Sequence, residues 1–233
     1  MPSKLNISII IPVFNEQEHI ANSISNIKKC CENKCEIIVV DGNINCSTLQ
    51  EINDSEVIKL HSAKGRASQM NCGAAKASND SLIFLHADTR LPLNVDKLVH
   101  EALSIPTVSA GAFKLSFDSE SFVMKFIAYI ADMRTRLERV PYGDQAIFVK
   151  KDIFLELGGF PQVPLMEDVE FFRKIKKERR EIIILDETVK TSARRYLQRG
   201  PLRCAVRNIC LRILHICGVS TFKLAKMYQS KGR

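Results

Sequence analysis

Asp88 is an acidic residue at the end of a strongly apolar run, Ser81-Leu-Ile-Phe-Leu-His-Ala-Asp-Thr-Arg-Leu-Pro92. Residues Leu82–Leu85 predict a strand covered on both faces, and Pro92 predicts an early end to the loop that follows. A carboxylate at the carboxyl end of a central strand in an open α/β sheet lies in the ligand crevice. There it can hold a divalent cation against phosphate oxygens. An aspartate at this position is also a common cap for the next helix.

Four other short segments carry polar residues at similar points of the predicted sheet. They are Pro12-Val13-Phe14-Asn15-Glu16, Asp41-Gly42, Gly65-Arg66-Ala67 and Met166-Glu167-Asp168. The first two follow predicted strands, and the other two open predicted helices. Each is explained by a turn or a cap, but several acids at strand ends also suit the binding of a nucleotide and a metal. We therefore expect all five segments to meet at one crevice.

The elements that must position these residues are short apolar strands alternating with helices. Strands are predicted at Ile7–Val13, Glu36–Val40, Val57–Leu60, Leu82–Leu85, Val108–Phe117, Ala146–Val149, Ile182–Leu185 and Thr188–Ser192. Helices are predicted from a capping-box-like start at Asn15 and Glu18 through about Cys31, and at Ala67–Ala77, Phe122–Val140, Glu167–Arg180 and from about Pro201. This alternation predicts right-handed βαβ units, and hence an α/β fold whose mainly parallel, twisted sheet is flanked by helices.

The chain of 233 residues is long enough for one large domain with an appendage. We predict one domain over residues 1–200, with a nucleotide-binding half at about 1–92 and an acceptor half at about 93–200. Residues 201–233 are predicted to form a basic, amphipathic helical segment. The eight cysteines show no paired C-x-x-C spacing, and we interpret them as reduced, mostly buried thiols.

The net charge of +8 is spread unevenly along the chain. Residues 1–120 carry 11 basic and 14 acidic side chains, a net charge of −3, whereas residues 188–233 carry 11 Lys or Arg and no acid. A segment this basic faces solvent or a negative partner, and the candidates are an anionic membrane surface, nucleic acid or a phosphorylated substrate. Because the segment lacks interleaved aromatic residues and any known nucleic-acid motif, we expect no nucleic acid partner.

The predicted C-terminal helix has an apolar stripe beside a line of arginines. The stripe comprises Leu202, Val206, Ile209, Ile213 and Ile216, and the arginines are Arg199, Arg203 and Arg207. Two partners would cover the stripe: the catalytic domain, which we favour, or an anionic membrane that carries a lipid-linked or lipid-soluble acceptor. No apolar run approaches the roughly 18 residues needed to span a bilayer, and no signal-like segment opens the chain. We expect a cytoplasmic protein, with the inner face of the cell membrane as an alternative location.

Six sequence blocks, taken in order, resemble the family 2 glycosyltransferases of the GT-A fold. The blocks are SIIIPVFNEQEHI, IIVVDG, GRASQMNCGAAKAS, LIFLHADTRLP, GDQAIFVKKDIFLELGGF and LMEDVEFFRKIKK. They extend from about Ser8 to about Lys177, and HADT with LMEDVE is similar to a small bacterial subgroup of single-domain members. The resemblance implies an enzyme that transfers a sugar from a nucleotide-diphosphate sugar to an acceptor, normally with inversion, and with a divalent metal (Mn²⁺ or Mg²⁺).

The resemblance also implies roles for individual residues. The donor would be bound by Pro12, Asn15, Glu16, Asp41, Gly65, Arg66, Ala87 and Asp88. Asp88 matches the last carboxylate of the family's Asp-x-Asp motif, which binds the metal, and Asp168 matches the general base. On the acceptor side the matching residues are Asp144, Gln145 and Glu167.

Elementary chemistry supports the same assignments for the two aspartates. An inverting transfer needs a base opposite the leaving diphosphate, and a carboxylate such as Asp168 can accept the alcohol proton. The leaving group needs its charge neutralised, which a metal at Asp88 or arginines gripping phosphate oxygens would supply. Arg194 and Arg195 follow a predicted strand and are candidates for this contact, unless they belong only to the basic tail.

His86 departs from the family pattern, because relatives usually have an aspartate at this position. A neutral imidazole can ligate Mn²⁺ but is a poor ligand for Mg²⁺. His86 could instead bond the ribose or only pack, so we treat it as a candidate metal ligand beside Asp88. The block DGNINCST also lacks a further acid that many relatives have after DG, which leaves recognition of the donor base open.

Two other functions share this α/β layout. A sugar nucleotidyltransferase would need a Gly-rich loop bearing Lys or Arg after the first strand, where this chain has Phe14-Asn15-Glu16-Gln17. A noncatalytic nucleotide-sugar-binding protein is favoured if His86 abolishes metal binding, but the presence of Asp168 argues against it.

Overall fold

The computed structural model describes residues 7–230, which form eight strands and ten α-helices. The strands are β1 Ile7–Val13, β2 Glu36–Asp41, β3 Ile58–His61, β4 Ser81–Phe84, β5 Thr89–Arg90, β6 Val108–Phe117, β7 Ile147–Lys150 and β8 Glu181–Thr191. The helices are α1 Gln17–Cys30, α2 Ser47–Gln50, α3 Arg66–Lys76, α4 Val95–Ser104, α5 Phe122–Glu138, α6 Lys151–Glu156, α7 Glu167–Lys177, α8 Arg194–Arg199, α9 Pro201–Ile216 and α10 Thr221–Ser230.

The eight strands form one sheet in the order β3-β2-β1-β4-β7-β6-β8-β5. β7 and β5 run antiparallel to their neighbours, and the other six strands share one direction. The chain moves outward from β1 through β2 to β3, then returns to place β4 on the other side of β1. Strand order therefore reverses between β1 and β4, and ligands of open α/β sheets bind outside the carboxyl ends of strands at such a point. The predicted α/β fold with a mainly parallel sheet is confirmed.

Both faces of the sheet are covered, and β1 shows why. Ile9 and Ile11 belong to one core cluster with residues of α1 and α4, whereas Ile10 belongs to another with residues of α3 and α7. Successive residues of a strand point to opposite faces, so a strand between two helical layers must be apolar throughout. All three isoleucines are fully buried. The continuous apolar run of β1 is thus the sequence signal of a central strand.

Several local predictions need correction. The capping box at Asn15 is wrong: Glu16 occupies the N-cap of α1 without a side-chain cap bond, and Asn15 accepts a hydrogen bond from Asn43 instead. The two strands predicted on either side of Asp186 are one strand, β8, which pairs with β6 across a register shift. All eight cysteines are free as expected, but only Cys30 and Cys204 are buried.

The apolar stripe of α9 does not pack on the domain. All five of its residues are more than half exposed, including Leu202 at 66% and Ile216 at 60%. The helix instead buries its other side, through Cys204, Leu211 and His215. The favoured expectation for the stripe is therefore wrong, because the opposite side of the helix makes the inward contact. Between residues 7 and 230, no helix is long and apolar enough to cross a membrane.

Candidate active site

One cleft at the carboxyl ends of the strands gathers seven of the residues predicted to be functional. They are Arg66, His86, Asp88, Asp144, Glu167, Asp168 and Arg195. They come from the loop after β4, the first turns of α3, α7 and α8, and a 3₁₀ turn at Gly143–Gln145. The expected meeting of segments distant in sequence therefore holds for these residues.

Asp168 is held in place by backbone amides. Its Oδ2 accepts a hydrogen bond from the N–H of Gly143 at 2.6 Å, and its Oδ1 accepts one from Val169 N–H at 2.7 Å. Burial raises the pKa of Asp168, while these two amides and the nearby guanidinium groups of Arg66 and Arg134 act in the opposite direction. The carboxylate is thus oriented by its surroundings and is more basic than a solvated one.

Position 143 favours a glycine, because the 3₁₀ turn passes very close to His86 and Asp168 there. A Cβ atom at this position would lie 3.1 Å from Nε2 of His86 and 3.5 Å from Oδ2 of Asp168. The first of these distances is shorter than a comfortable carbon contact, so a side chain here would press on the imidazole. Glycine thereby lets the 3₁₀ turn bond Asp168 while leaving His86 in the cleft.

Two further carboxyl groups lie close to Asp168. Burial raises the pKa of Glu167 to about 7, and the charge of Asp168 adds to this effect. Burial likewise raises the pKa of Asp144 to about 6, and within the described part of the chain its Oδ1 has no hydrogen-bond partner. Like charges in a poorly solvated site disfavour joint ionisation. The cleft can therefore hold a proton near neutral pH.

The buried Glu167 predicts a pH dependence of stability. Below pH about 4.5 the carboxyl is protonated in both states; as pH rises, the unfolded chain ionises first, while the folded chain keeps its proton until about pH 7. The free energy of unfolding should therefore fall across this range, with Glu167 contributing on the order of 3 kcal/mol. In Glu167→Gln the fall should be smaller, as measured by urea unfolding at pH 5 and 7.5. The exposed Glu178, at the C-cap of the same helix, supplies the control Glu178→Gln, and a Glu167→Gln variant with the wild-type slope would contradict the prediction.

Asp88 and His86 stand together after β4, in the part of the cleft nearest to α1. Asp88 also affects Glu16: burial raises the pKa of Glu16, and the negative charge of Asp88 raises it further. Burial, together with the positive charges of Arg66 and Arg195, holds the pKa of His86 well below its usual range. The imidazole is therefore uncharged at neutral pH, and the guanidinium groups of Arg66 and Arg195 place positive charge near it.

Asp88 and His86 can bind a cation only if a bound substrate or water supplies the remaining ligands. Within residues 7–230, no group of three or more His, Cys, Asp or Glu side chains is arranged to hold a metal ion. Mg²⁺ commonly uses one or two carboxylates, waters and substrate phosphates, and an uncharged imidazole suits Mn²⁺ better. A pair such as Asp88 and His86 therefore matches a metal shared with a diphosphate.

Other predicted donor-binding residues lie outside the lining of this cleft. They are Pro12, Asn15, Glu16, Asp41, Gly65, Ala87 and Arg194. Asp41 is fully buried and accepts hydrogen bonds from the backbone N–H groups of Asn43, at 2.8 Å, and Thr48, at 3.1 Å. Asp41 thus fixes the loop after β2, which meets the loop after β1 through the bond between Asn43 and Asn15 at 2.6 Å.

Gln145 is buried behind the cleft. Its side chain donates to Phe113 O at 3.1 Å and accepts from Thr135 Oγ1 at 2.9 Å and from Tyr142 N–H at 3.1 Å. These bonds tie the 3₁₀ turn to β6 and α5. Gln145 therefore fixes the turn that carries Asp144.

The C-terminal helices supply cleft residues that the sequence patterns do not reveal. Asn208 and Leu211 of α9 and Tyr228 of α10 line the cleft, and Tyr228 accepts a hydrogen bond from Arg195 at 2.8 Å. Tyr142 also lines it, with the Arg134 guanidinium 3.7 Å from its ring centroid. Tyr142 has a sequence signal, because it immediately precedes the GDQA block; the helical residues have none beyond their helical spacing.

Comparison with known proteins agrees with this fold. A mannosyltransferase of Pyrobaculum calidifontis, solved in complex with GDP-Man and Mn²⁺, superposes with a TM-score of 0.61 at 20% identity, covering 79% of this chain and 56% of that one. Poly-β-1,6-N-acetyl-D-glucosamine synthases of Staphylococcus aureus strains COL and MSSA476 are 30% and 29% identical over 89 residues, 36% of this chain. The chain covers only 22% of the length of each synthase. The fold is that of the GT-A glycosyltransferases.

The family follows from a match over most of the chain. Residues 8–160 match the model of Glycosyl transferase family 2. The chain belongs to this family, which confirms the assignment made from the six sequence blocks.

Proposed function

We propose that this protein is an inverting, metal-dependent glycosyltransferase that moves a sugar from a nucleotide-diphosphate sugar to an acceptor hydroxyl. The observation that carries the proposal is the meeting of Asp168 and Asp88 in one cleft with the guanidinium groups of Arg66 and Arg195. Family membership and the fold support the donor class. A sugar nucleotidyltransferase gains no support, since no Gly-rich basic loop follows β1.

Asp168 is the proposed general base. It takes the proton of the acceptor hydroxyl as the acceptor oxygen bonds to the anomeric carbon, while the bond from that carbon to the diphosphate oxygen breaks. The electron pair of the broken bond leaves with the nucleoside diphosphate. Attack opposite the leaving group inverts the anomeric carbon. The amides of Gly143 and Val169 orient the carboxylate for this step, and burial favours the uptake of a proton.

The diphosphate is proposed to lie near His86 and Asp88, where the guanidinium groups of Arg66 and Arg195 supply positive charge. A Mn²⁺ or Mg²⁺ ion held by Asp88, with His86 as a further ligand, would neutralise the charge of the leaving diphosphate. Arginine side chains can grip phosphate oxygens through two parallel hydrogen bonds. Arg194 donates a hydrogen bond to His19 at 2.9 Å, and we propose that it adds positive charge beside the diphosphate.

The nucleoside is proposed to lie along the loops after β1 and β2, contacting Pro12, Asn15 and Glu16, while the fully buried Asp41 fixes the loop after β2 beside it. Gly65 and Ala87 would let the backbone approach the donor closely, because neither has a bulky side chain. On the acceptor side, Asp144 and Glu167 would accept hydrogen bonds from acceptor hydroxyl groups, with Gln145 as the support of their turn.

A donor panel tests the proposal. Purified protein would be incubated with UDP-, GDP-, dTDP- and CDP-sugars with and without Mn²⁺, and release of the nucleoside diphosphate would be measured. We expect slow hydrolysis of one donor class, faster with Mn²⁺ than with a chelator. Tight binding of a donor without hydrolysis or transfer under any condition would favour a noncatalytic nucleotide-sugar-binding protein instead.

A further inference from the structure

Helix α5 turns a row of large apolar side chains toward solvent. The row comprises Phe122, Phe126, Tyr129, Ile130, Met133 and Leu137. Phe122 and Leu137, at its ends, are 83% and 78% exposed. The spacing of three and four residues places the row on one side of the helix, while Met124, Ala128 and Thr135 pack inward. This side of α5 is therefore exposed within the part of the chain that the structure describes.

Helix α9 carries a second exposed apolar row, the stripe described above. The two helices contact each other, and Arg212 of α9 forms an ion pair with Glu138 of α5. Each helix packs its opposite side inward, so both apolar rows are exposed to solvent on two helices that contact each other. We call them together the outer apolar face. Soluble monomers rarely expose so extended an apolar surface unless it binds something.

The surroundings of the outer apolar face are strongly basic. Arg203 on α9 and Lys223 and Lys226 on α10 are exposed, and no acidic residue follows Glu187 in the sequence. Two acids near the other edge of α5 are already paired: Glu120 with Lys125 and Asp186 with Arg136. The α9 stripe therefore lies on a helix with exposed positive charge, and neither α9 nor the described part of α10 carries an acidic residue to compensate it.

We propose that the outer apolar face docks on the surface of an anionic lipid bilayer. Amphipathic helices bind in this way by burying an apolar side at the acyl boundary while basic residues contact the acidic headgroups. A second copy of this chain is a poorer partner, because a symmetric contact would bring two segments that lack acids and are rich in Arg and Lys against each other.

Helix α9 contributes residues both to the outer apolar face and to the lining of the cleft. Asn208 and Leu211 lie on the inner part of α9 and line the cleft, while Ile209 and Ile213 belong to the outer apolar face. Docking would therefore hold the cleft next to the headgroup region. If the proposed sugar transfer is correct, on which this step rests, the acceptor is a hydroxyl group on a membrane lipid.

Vesicle binding tests the docking. The full chain would be sedimented with vesicles of phosphatidylglycerol and phosphatidylcholine, and with phosphatidylcholine alone. We expect binding to the anionic vesicles only, weakened in about 1 M NaCl, where the screening length is about 3 Å. The double variant Phe126→Asp, Ile209→Asp should bind at least tenfold more weakly, because it places charges in the apolar rows. Both side chains are exposed, so the fold should survive.

Leu155 on α6 provides the matched control, since it is an exposed apolar residue outside the outer apolar face. Leu155→Asp should bind vesicles like the wild type. Equal vesicle binding by the double variant and the wild type would overturn the proposal, as would a dimer in solution that the double variant converts to a monomer. Donor hydrolysis, measured on the same samples, should be equal in all three proteins. Its absence from all of them would contradict the proposed function while leaving the docking result intact.

Discussion

Replacing Asp168 with asparagine should lower the turnover of sugar transfer by roughly 10²–10⁴-fold, the usual contribution of a general base. Binding of the nucleotide sugar should be largely retained, because the carboxylate acts on the acceptor proton and not on the donor. Asparagine has nearly the same shape but cannot accept that proton. Transfer would be measured as release of nucleoside diphosphate in the presence of acceptor, and donor binding by calorimetry.

The hydrogen bonds of Asp168 decide which controls are needed. Both carboxylate oxygens accept backbone N–H groups, from Gly143 and Val169, whereas an asparagine has only one acceptor oxygen. The variant should therefore also lose about 1 kcal/mol of stability, which urea unfolding would detect. Asp186→Asn, at an exposed ion pair with Arg136, makes the same chemical change away from the cleft and should be fully active. Full transfer by Asp168→Asn would exclude this residue as the base.

Asp88→Ala should remove the response of the enzyme to Mn²⁺. A bound cation contributes several kcal/mol of charge stabilisation at a leaving diphosphate, so activity in saturating Mn²⁺ should fall by roughly 10²-fold or more. The measurement is the rate of donor hydrolysis as a function of Mn²⁺ concentration. With the metal gone, added chelator should have little further effect on the variant.

The strand β4 itself offers the control for this experiment. Asp80 is an exposed aspartate immediately before the first residue of β4, whereas Asp88 follows the other end of the strand in the cleft. Asp80→Ala should respond to Mn²⁺ like the wild type. A wild-type metal response in Asp88→Ala would rule out Asp88 as a metal ligand.

The central part of the fold is readable from the sequence because its strands are buried on both faces. Ile7–Val13 and Val108–Phe117 are predicted with the bounds that they have in the structure. The first is a nearly continuous apolar run, as a strand covered on both faces requires, whereas the second alternates toward its end, with Lys114 exposed and Ser116 half-buried. Helix α4, by contrast, is absent from the predicted elements, although its apolar spacing is that of an amphipathic helix.

The site was predictable to the extent that it lies at strand ends. Asp88 lines the cleft because the strand before it, β4, lies at the strand-order reversal beside β1. Arg66 lines it because it opens α3, which packs on β1 and β2. The family blocks added Asp168 and Asp144. The bond from Gly143 to Asp168 joins residues 25 positions apart, and no local pattern indicates that distance.

The sequence by itself therefore determined the α/β class, the family and the set of acidic and basic residues available for chemistry. These depend on residue type and local periodicity, which the chain carries at every position. Tertiary structure decided what those residues do together: it raised the pKa values of Asp144 and Glu167 by burial, and placed Tyr228 against Arg195. It also left the outer apolar face uncovered, because which side of an amphipathic helix packs depends on its neighbours, and these are fixed only when the whole chain has folded.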